Sequence, residues 1–194
     1  MALCFGVVGA ACGLARQARL RTTTQVRLCT TTTTTTKTKR GKFEKVYKMT
    51  GRGEECAASV SVRGHRILTD TPKLSGGKDG AAQPVELVLA ALIGCETATA
   101  HFVARQLGVT IDRVDFEVEA VRDVRGAAHV PVDAEAPAPA RLQRIVGEAR
   151  VTSADPAVDD AVVARLAAIV HARCPVADMI AASGCALDVA WRLR

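Results

Sequence analysis

From Leu87 to Ile93 the chain is apolar at every position, so a helix there has no polar face in its first half. Pro84 suits a first helical position, Glu86 falls in the first turn where the helix dipole favours a carboxylate, and Gly108 fits a C-terminal cap. The pattern predicts a helix from Pro84 to Leu107, buried on all sides by a sheet or by a second subunit. Upstream, Lys45 to Met49 and Ala57 to Val62 have strand character, Val60 and Val62 alternating with polar neighbours, and read as an antiparallel meander. The Gly-, Pro- and Asp-rich stretch from Thr69 to Pro84 is a loop. Downstream, Val114, Phe116, Val118 and Ala120 alternate with Asp115, Glu117 and Glu119, the pattern of a half-buried strand. Arg125 to Ala140 is Pro/Ala-rich and reads as a loop or an extended hairpin connection. A further strand follows over Arg141 to Ser153, where Gly147 suggests a bulge. Asp155 as cap and Pro156 at the first position open a second helix, with Val158, Val162, Val163, Leu166, Ile169 and Val170 at helical spacing. Leu187, Val189, Trp191 and Leu193 share one face of a final strand. Strands, helix, strands, helix, strand is the order of an α+β fold with an antiparallel sheet.

Charge changes this picture at one end only. The 194 residues carry a formal charge of +6, yet residues 1 to 43 contain no Asp or Glu and hold 8 of the 26 Lys and Arg. The remainder has 18 basic against 20 acidic groups and is slightly acidic. The basic balance therefore belongs to the leader, which removes the main support for a nucleic-acid binder, and 3% aromatic content removes the stacking platforms single-strand binders use. An acid-free, Arg- and Thr-rich leader has the composition of a mitochondrial transit peptide. A secretory signal fits less well, because the arginines follow the apolar run from Ala2 to Ala15; that run is also too short to span a membrane. The expectation is a leader over 1–43, its Thr tract disordered, and one domain over 44–194. That domain is expected in the mitochondrial matrix, the cytoplasm being the alternative, with no nucleic acid bound and no membrane insertion.

Of the seven cysteines, Cys56, Cys95, Cys174 and Cys185 lie outside the leader. Their wide spacing, without a C-x-x-C pair, resembles neither a zinc finger nor a stapled secreted fold, and fits a reduced compartment. By residue type alone each is a small core hydrophobe, the reading kept for Cys56 and Cys185. Cys174 differs because Pro175 follows it. If the second helix breaks there, free N–H groups of a new first turn face the sulfur and favour thiolate; if the helix is continuous, Pro175 is only a kink. His171 lies one turn earlier, where a surface role competes with that of a base or, together with Cys174, of a metal ligand.

PVELVLAALIGC, Pro84 to Cys95, followed by RCPVADMI, Arg173 to Ile180, resembles the OsmC/Ohr superfamily of osmotically inducible and organic hydroperoxide resistance proteins. The resemblance covers roughly Lys45 to Trp191 and is closer to the OsmC-like branch. It implies an antiparallel sheet wrapped around two helices, the first long and central, in an intertwined homodimer with active sites at the subunit interface. It also implies a two-cysteine thiol peroxidase acting on organic or lipid hydroperoxides in oxidative stress defence. Cys95 would attack the O–O bond, becoming a sulfenic acid, and Cys174 would condense with it to a disulfide. An external dithiol, dihydrolipoamide being the candidate, would then regenerate the pair, with no bound cofactor or metal. In hydroperoxide resistance proteins a Glu directly after the motif proline and an Arg on an early strand hold the attacking cysteine ionised. Here Val85 occupies the first of these positions, Glu86 comes one residue later, and Arg52 in MTGRGEE is the nearest match for the arginine. Nine residues at about 100° each put Glu86 nearly opposite Cys95 on the helix, which suits a capping carboxylate better than a partner of the sulfur. Val85 also keeps open a redox-sensing or small-ligand-binding protein of the same fold with little turnover.

Overall fold

A computed structural model describes residues 41–194. The predicted leader up to residue 40, with its Thr tract and its cysteines at 4, 12 and 29, lies outside the described residues. The chain divides into two units, Met1–Val46 and Tyr47–Arg194, and every element below belongs to the second.

Strands β1 (Thr50–Glu54), β2 (Ala57–Val62) and β3 (His65–Thr69) form a three-stranded antiparallel sheet. The meander matches the alternation, but its first strand is not Lys45 to Met49, which is exposed and lies outside any strand. The two-residue turn at Glu55 and Cys56 sets the register: pairing starts at Glu54 with Ala57 and runs back only to Thr50 with Ser61. Glu55 at φ 53° and the Arg63–Gly64 pair at φ 49° and 84° supply the left-handed conformations that such tight hairpins need. Every residue of β1 is exposed, and the apolar positions Val60, Val62 and Ile67 on the shared face are only partly covered.

Helix α1 (Pro84–Leu107) has the predicted limits. Pro84 starts it, and the Gln83 N–H donates to Glu86 Oε2 at 2.8 Å in a capping box. Gly108 ends it at φ 75°, its N–H returning to the Ala104 and Arg105 carbonyls. By length and composition α1 could cross a membrane; in the fold it packs on other helices. The expectation of burial on all sides is not met within one chain. Only Leu92, Glu96, Ala100, Val103 and Ala104 are buried, while Val88 is 39% and Phe102 45% exposed. Among the described residues the helices cover one stripe of α1 and leave the opposite side open.

The second sheet has the order β4 (Arg113–Val121), β5 (Arg144–Thr152), β6 (Ala186–Leu193). The pair β4–β5 is antiparallel, but β5–β6 is parallel, which corrects the all-antiparallel sheet. Two helices and their turns separate β5 from β6, and a crossover of that length returns the chain in the same direction. Between β4 and β5 lies a single helical turn, α2 (Arg125–Ala128). After β5 the predicted second helix is two: α3 (Asp160–Arg173) and α4 (Pro175–Ala182). Its start also moves. Asp155 does not cap a helix but accepts from Thr110 N at 2.9 Å and Ala157 N at 3.0 Å, tying the loop. Asp159 is the N-cap, accepting from Val162 N at 2.8 Å.

Helices α3 and α4 fill the space between α1 and the second sheet. One core cluster joins Ala100, Val103 and Ala104 of α1 to Val163, Leu166 and Val170 of α3. A second joins Leu92 to Ile145, Cys174, Ala177, Ile180 and Cys185. On the sheet, Trp191 meets Phe116 edge-on with centroids 5.6 Å apart.

Gly147 makes no bulge: it pairs in register with Val118 on one side and Val189 on the other. Glycine is required because the neighbouring strand lies too close for a side chain. A Cβ would collide with the Glu117 carbonyl oxygen and stand 2.8 Å from Val118 Cα. Gly147→Ala should therefore destabilise the fold by about 1–3 kcal/mol, read as a lower urea midpoint, whereas Gly94→Ala, with open space at its Cβ, should leave the midpoint within about 0.5 kcal/mol or raise it.

Candidate active site

A proline has no N–H to donate, and the residue before it is pushed to extended backbone. At Cys174 both effects act: φ −75° and ψ 113° end α3, and the same residue is the N-cap of α4. Of the two readings open for Pro175, the structure takes the break. The Cys174 N–H closes α3 on the Val170 carbonyl at 2.8 Å, and the Ala177 N–H of the new helix donates to Cys174 Sγ at 3.4 Å.

Cys95 sits midway along α1, half-buried against the cluster that holds Cys174. The Cys95 thiol lies close enough to Cys174 to act on its titration, and both cysteines are free. Their union depends on packing, since Leu92, one turn before Cys95, shares the cluster with Ala177, one turn after Cys174.

Electrostatically, Cys174 runs against the expectation from helix N-termini. Its thiol is pushed up to about 11, first because it is wholly buried; the hydrogen bond to Cys95 adds to the rise, and the Ala177 and Val176 N–H groups oppose it without winning. Desolvation in an apolar cluster outweighs the dipole of a two-turn helix, so Cys174 stays protonated at neutral pH.

Arg52 and Glu86 are not brought to this pair. Arg52 lies on the exposed β1 strand, paired with Glu54 at 3.3 Å beside a surface pocket of the first sheet. Glu86 is the capping carboxylate its helical angle indicates. His171 is exposed in the last turn of α3, and among the described residues no group of three or more His, Cys, Asp or Glu is placed to hold a metal. Cys56 is exposed on a hairpin turn, against its structural reading, whereas Cys185 is buried in the Cys174 cluster.

Two features escape the sequence reading. The first is Glu96, next to Cys95, only 1% exposed, with Oε2 unpartnered and its carboxyl pushed up to about 7 by burial. A carboxylate four residues after Leu92, on the same stripe of the helix, was the available signal. The second is a groove of about 580 Å³ between α1 and α4, running past Val88, Ala91, Val176 and Ile180 and edged by Arg122 and Arg141. Ala91 is one turn from Cys95 and Val176 is two residues from Cys174, while the cysteine that lines the groove is Cys185. Its walls come from segments far apart in sequence.

A family model described as OsmC-like protein matches residues 76–190. No curated protein matches the sequence. Among solved structures, an OsmC-like protein of Mycoplasma pneumoniae superposes with a TM-score of 0.61 at 22% identity, covering 77% of this chain and 98% of that one. An OsmC-like protein of unknown function from Vibrio cholerae gives 0.60 at 9% identity, covering 77% and 100%. An organic hydroperoxide resistance protein of Legionella pneumophila gives 0.53 at 16%, covering 77% and 96%. At these identities the likeness is one of fold.

Glu96 makes a pH prediction. Its pKa is raised in the fold from 4.5 to about 7, so the native state favours the protonated form. Its contribution is complete below the unfolded value and is lost as pH rises through about 7. Glu96→Gln should therefore gain stability relative to the parent by up to about 3 kcal/mol between about pH 5 and pH 8 in urea unfolding, and a parallel pH dependence of the two proteins would contradict this.

Proposed function

The chain belongs to the OsmC-like protein family, and on that premise we propose that it is a two-cysteine thiol peroxidase that reduces organic hydroperoxides. The observation that carries the reading is the contact between Cys95 and Cys174, a half-buried thiol beside a fully buried one that is protonated at neutral pH.

The arrangement divides the work. Cys95 is the sulfur a substrate can reach, and the Cys174 S–H is a donor beside it. The Cys95 thiolate attacks the terminal peroxide oxygen; the S–O bond forms as the O–O bond breaks, and the alkoxide takes a proton and leaves as the alcohol. The product is a Cys95 sulfenic acid. Cys174 then attacks that sulfur, its proton leaving with the sulfenic hydroxyl as water, and the S–S bond closes. An external dithiol of the dihydrolipoamide class returns both thiols by exchange and is itself oxidised to the disulfide. No cofactor or metal is required by these steps.

The reading includes a homodimer. It is supported by the uncovered apolar side of α1 and by the thinly covered Val60, Val62 and Ile67 face of the first sheet, both surfaces that a second copy would bury. The acid-free, Arg-rich leader supports a mitochondrial matrix address. A second reading, a redox sensor or small-ligand binder with little turnover, is favoured by the distance of charged help: Arg52 is paired elsewhere and Glu86 caps its own helix.

The experiment is cumene hydroperoxide consumption with dihydrolipoamide, followed by mass spectrometry after one equivalent of peroxide. The proposal expects turnover and a Cys95–Cys174 disulfide; Cys95→Ser should lower the rate at least about 100-fold, and Cys174→Ser should leave a single sulfenic acid that cannot close. A stable modification on one cysteine of the parent protein, without turnover, would sink the peroxidase in favour of the sensor.

A further inference from the structure

Closing a disulfide asks Cys174 for a thiolate that its surroundings deny it. Burial pushes the thiol up to about 11, so at pH 7 roughly one molecule in ten thousand carries the ionised sulfur. The sulfur is wholly buried, out of reach of bulk water as a proton acceptor. The base has to come from inside the fold.

Helix geometry places one there. A side chain from a facing helix packs among four residues at positions i, i+3, i+4 and i+7. Cys174 shares a core cluster with Leu92 and lies close enough to Cys95 for that thiol to act on its titration. Two such sets contain both residues: Val88, Ala91, Leu92 and Cys95, or Leu92, Cys95, Glu96 and Thr99. Val88 and Ala91 are exposed, whereas Glu96 is buried and Thr99 half-buried, so a sulfur without exposure belongs over the second set. The levels of the helices agree. Ala100 shares a cluster with Val170, and Leu92 shares one with Ala177. Glu96 lies between Leu92 and Ala100 on α1, as Cys174 lies between Val170 and Ala177 across from it. Glu96 Oε2 is buried there without a hydrogen-bond partner.

Among the described residues no other titratable group is turned into this interior. The elements packed on α1 are α3, α4 and β4. Asp160, Arg165, His171 and Arg173 of α3 are exposed, as is Asp178 of α4. On β4, Arg113, Glu117 and Glu119 are exposed, and Asp115 is paired with Arg113 and Arg194. Within α1, Glu86 caps the helix, Arg105 is exposed, and His101 stands about 140° round the helix from Glu96.

We propose that Glu96 is the base that takes the Cys174 proton as that sulfur closes on Cys95. The S–S bond forms as the S–O bond of the Cys95 sulfenic acid breaks. The proton passes from Cys174 to the Glu96 carboxylate and on to the departing hydroxide, which leaves as water and restores the carboxylate. The Cys174 sulfur is oxidised and the sulfenic sulfur reduced. Burial raises the carboxyl to about 7, so near neutral pH it is partly ionised and still basic enough to accept a proton. The inference deepens the two-cysteine reading and rests on it only in that Cys174 closes on Cys95.

The test closes the pair without peroxide. Cys95 adds to the N=N bond of diamide, Cys174 displaces the resulting hydrazine, and both thiol protons end on nitrogen. On the full chain, with diamide raised until the rate no longer depends on it, the Cys95–Cys174 disulfide is timed by acid quench and peptide mass spectrometry from about pH 5 to about pH 9. The parent rate should rise with pH and level off, with its midpoint near the Glu96 value of about 7. Glu96→Gln keeps the shape and removes the base; at about pH 8 it should close at least about 100-fold more slowly, with no such midpoint. Glu96→Asp should keep a midpoint at a reduced rate. A parental rate in Glu96→Gln, a parent profile without an inflection between about pH 6 and about pH 8, or a parent that forms no Cys95–Cys174 disulfide would each overturn the proposal. Cumene hydroperoxide turnover by the parent protein is scored separately and bears only on the peroxidase reading.

Discussion

A backbone nitrogen without a hydrogen, at Pro175, is the constraint on which the thiol pair depends. It ends α3, forces Cys174 into extended backbone, and restarts the chain as α4 within one residue. Were the helix continuous, the Ala177 N–H would be bonded four residues back to Arg173 rather than to the Cys174 sulfur. The turn of direction also lets α4 lie along the first half of α1, opening the groove, while α3 packs on the second half. One missing donor thus places a thiol, a cavity and two core clusters.

What surrounds the thiols is apolar, and that fixes their electrostatics more firmly than helix dipoles do. Leu92, Ile145, Ala177 and Ile180 enclose Cys174 and offer it no countercharge, so burial dominates over the two N–H groups that favour thiolate. Glu96 follows the same rule one turn along the buried stripe of α1 from Leu92: an acid with an unpartnered oxygen in a dry interior resists ionising. Of the two thiols Cys95 is the one at the edge of this interior, only half-buried, which is why the proposed peroxidase gives it the attack.

The sequence made the elements legible wherever periodicity and end signals agreed. Proline at 84, Glu86 in the first turn and Gly108 in the cap placed α1 to the residue, because each acts locally. The alternation at Val114 to Ala120 and at Leu187 to Leu193 placed β4 and β6 for the same reason. Failures came where a distant partner decided. Asp155 is a good cap by type, but Thr110 claimed its carboxylate, and Asp159 took over the helix. Gly147 looked like a bulge, and only the approach of Val118 explains it. The parallel pairing of β5 with β6 is a tertiary fact with no local signature. For the site, the cysteine pair came from motif resemblance, and its contact came from packing; Glu96 became visible only when burial and pairing could be read atom by atom.

The parallel strand pair also sets an order of events. Closing β6 on β5 requires the whole α3–α4 excursion to be gathered first, a non-local step of the kind that slows folding. Cys174 is held among Ile145, Ile180 and Cys185, and Cys185 is delivered only as β6 arrives. A chain still emerging from the ribosome therefore carries its thiols as separate, ordinary cysteines until the core around Cys174 closes.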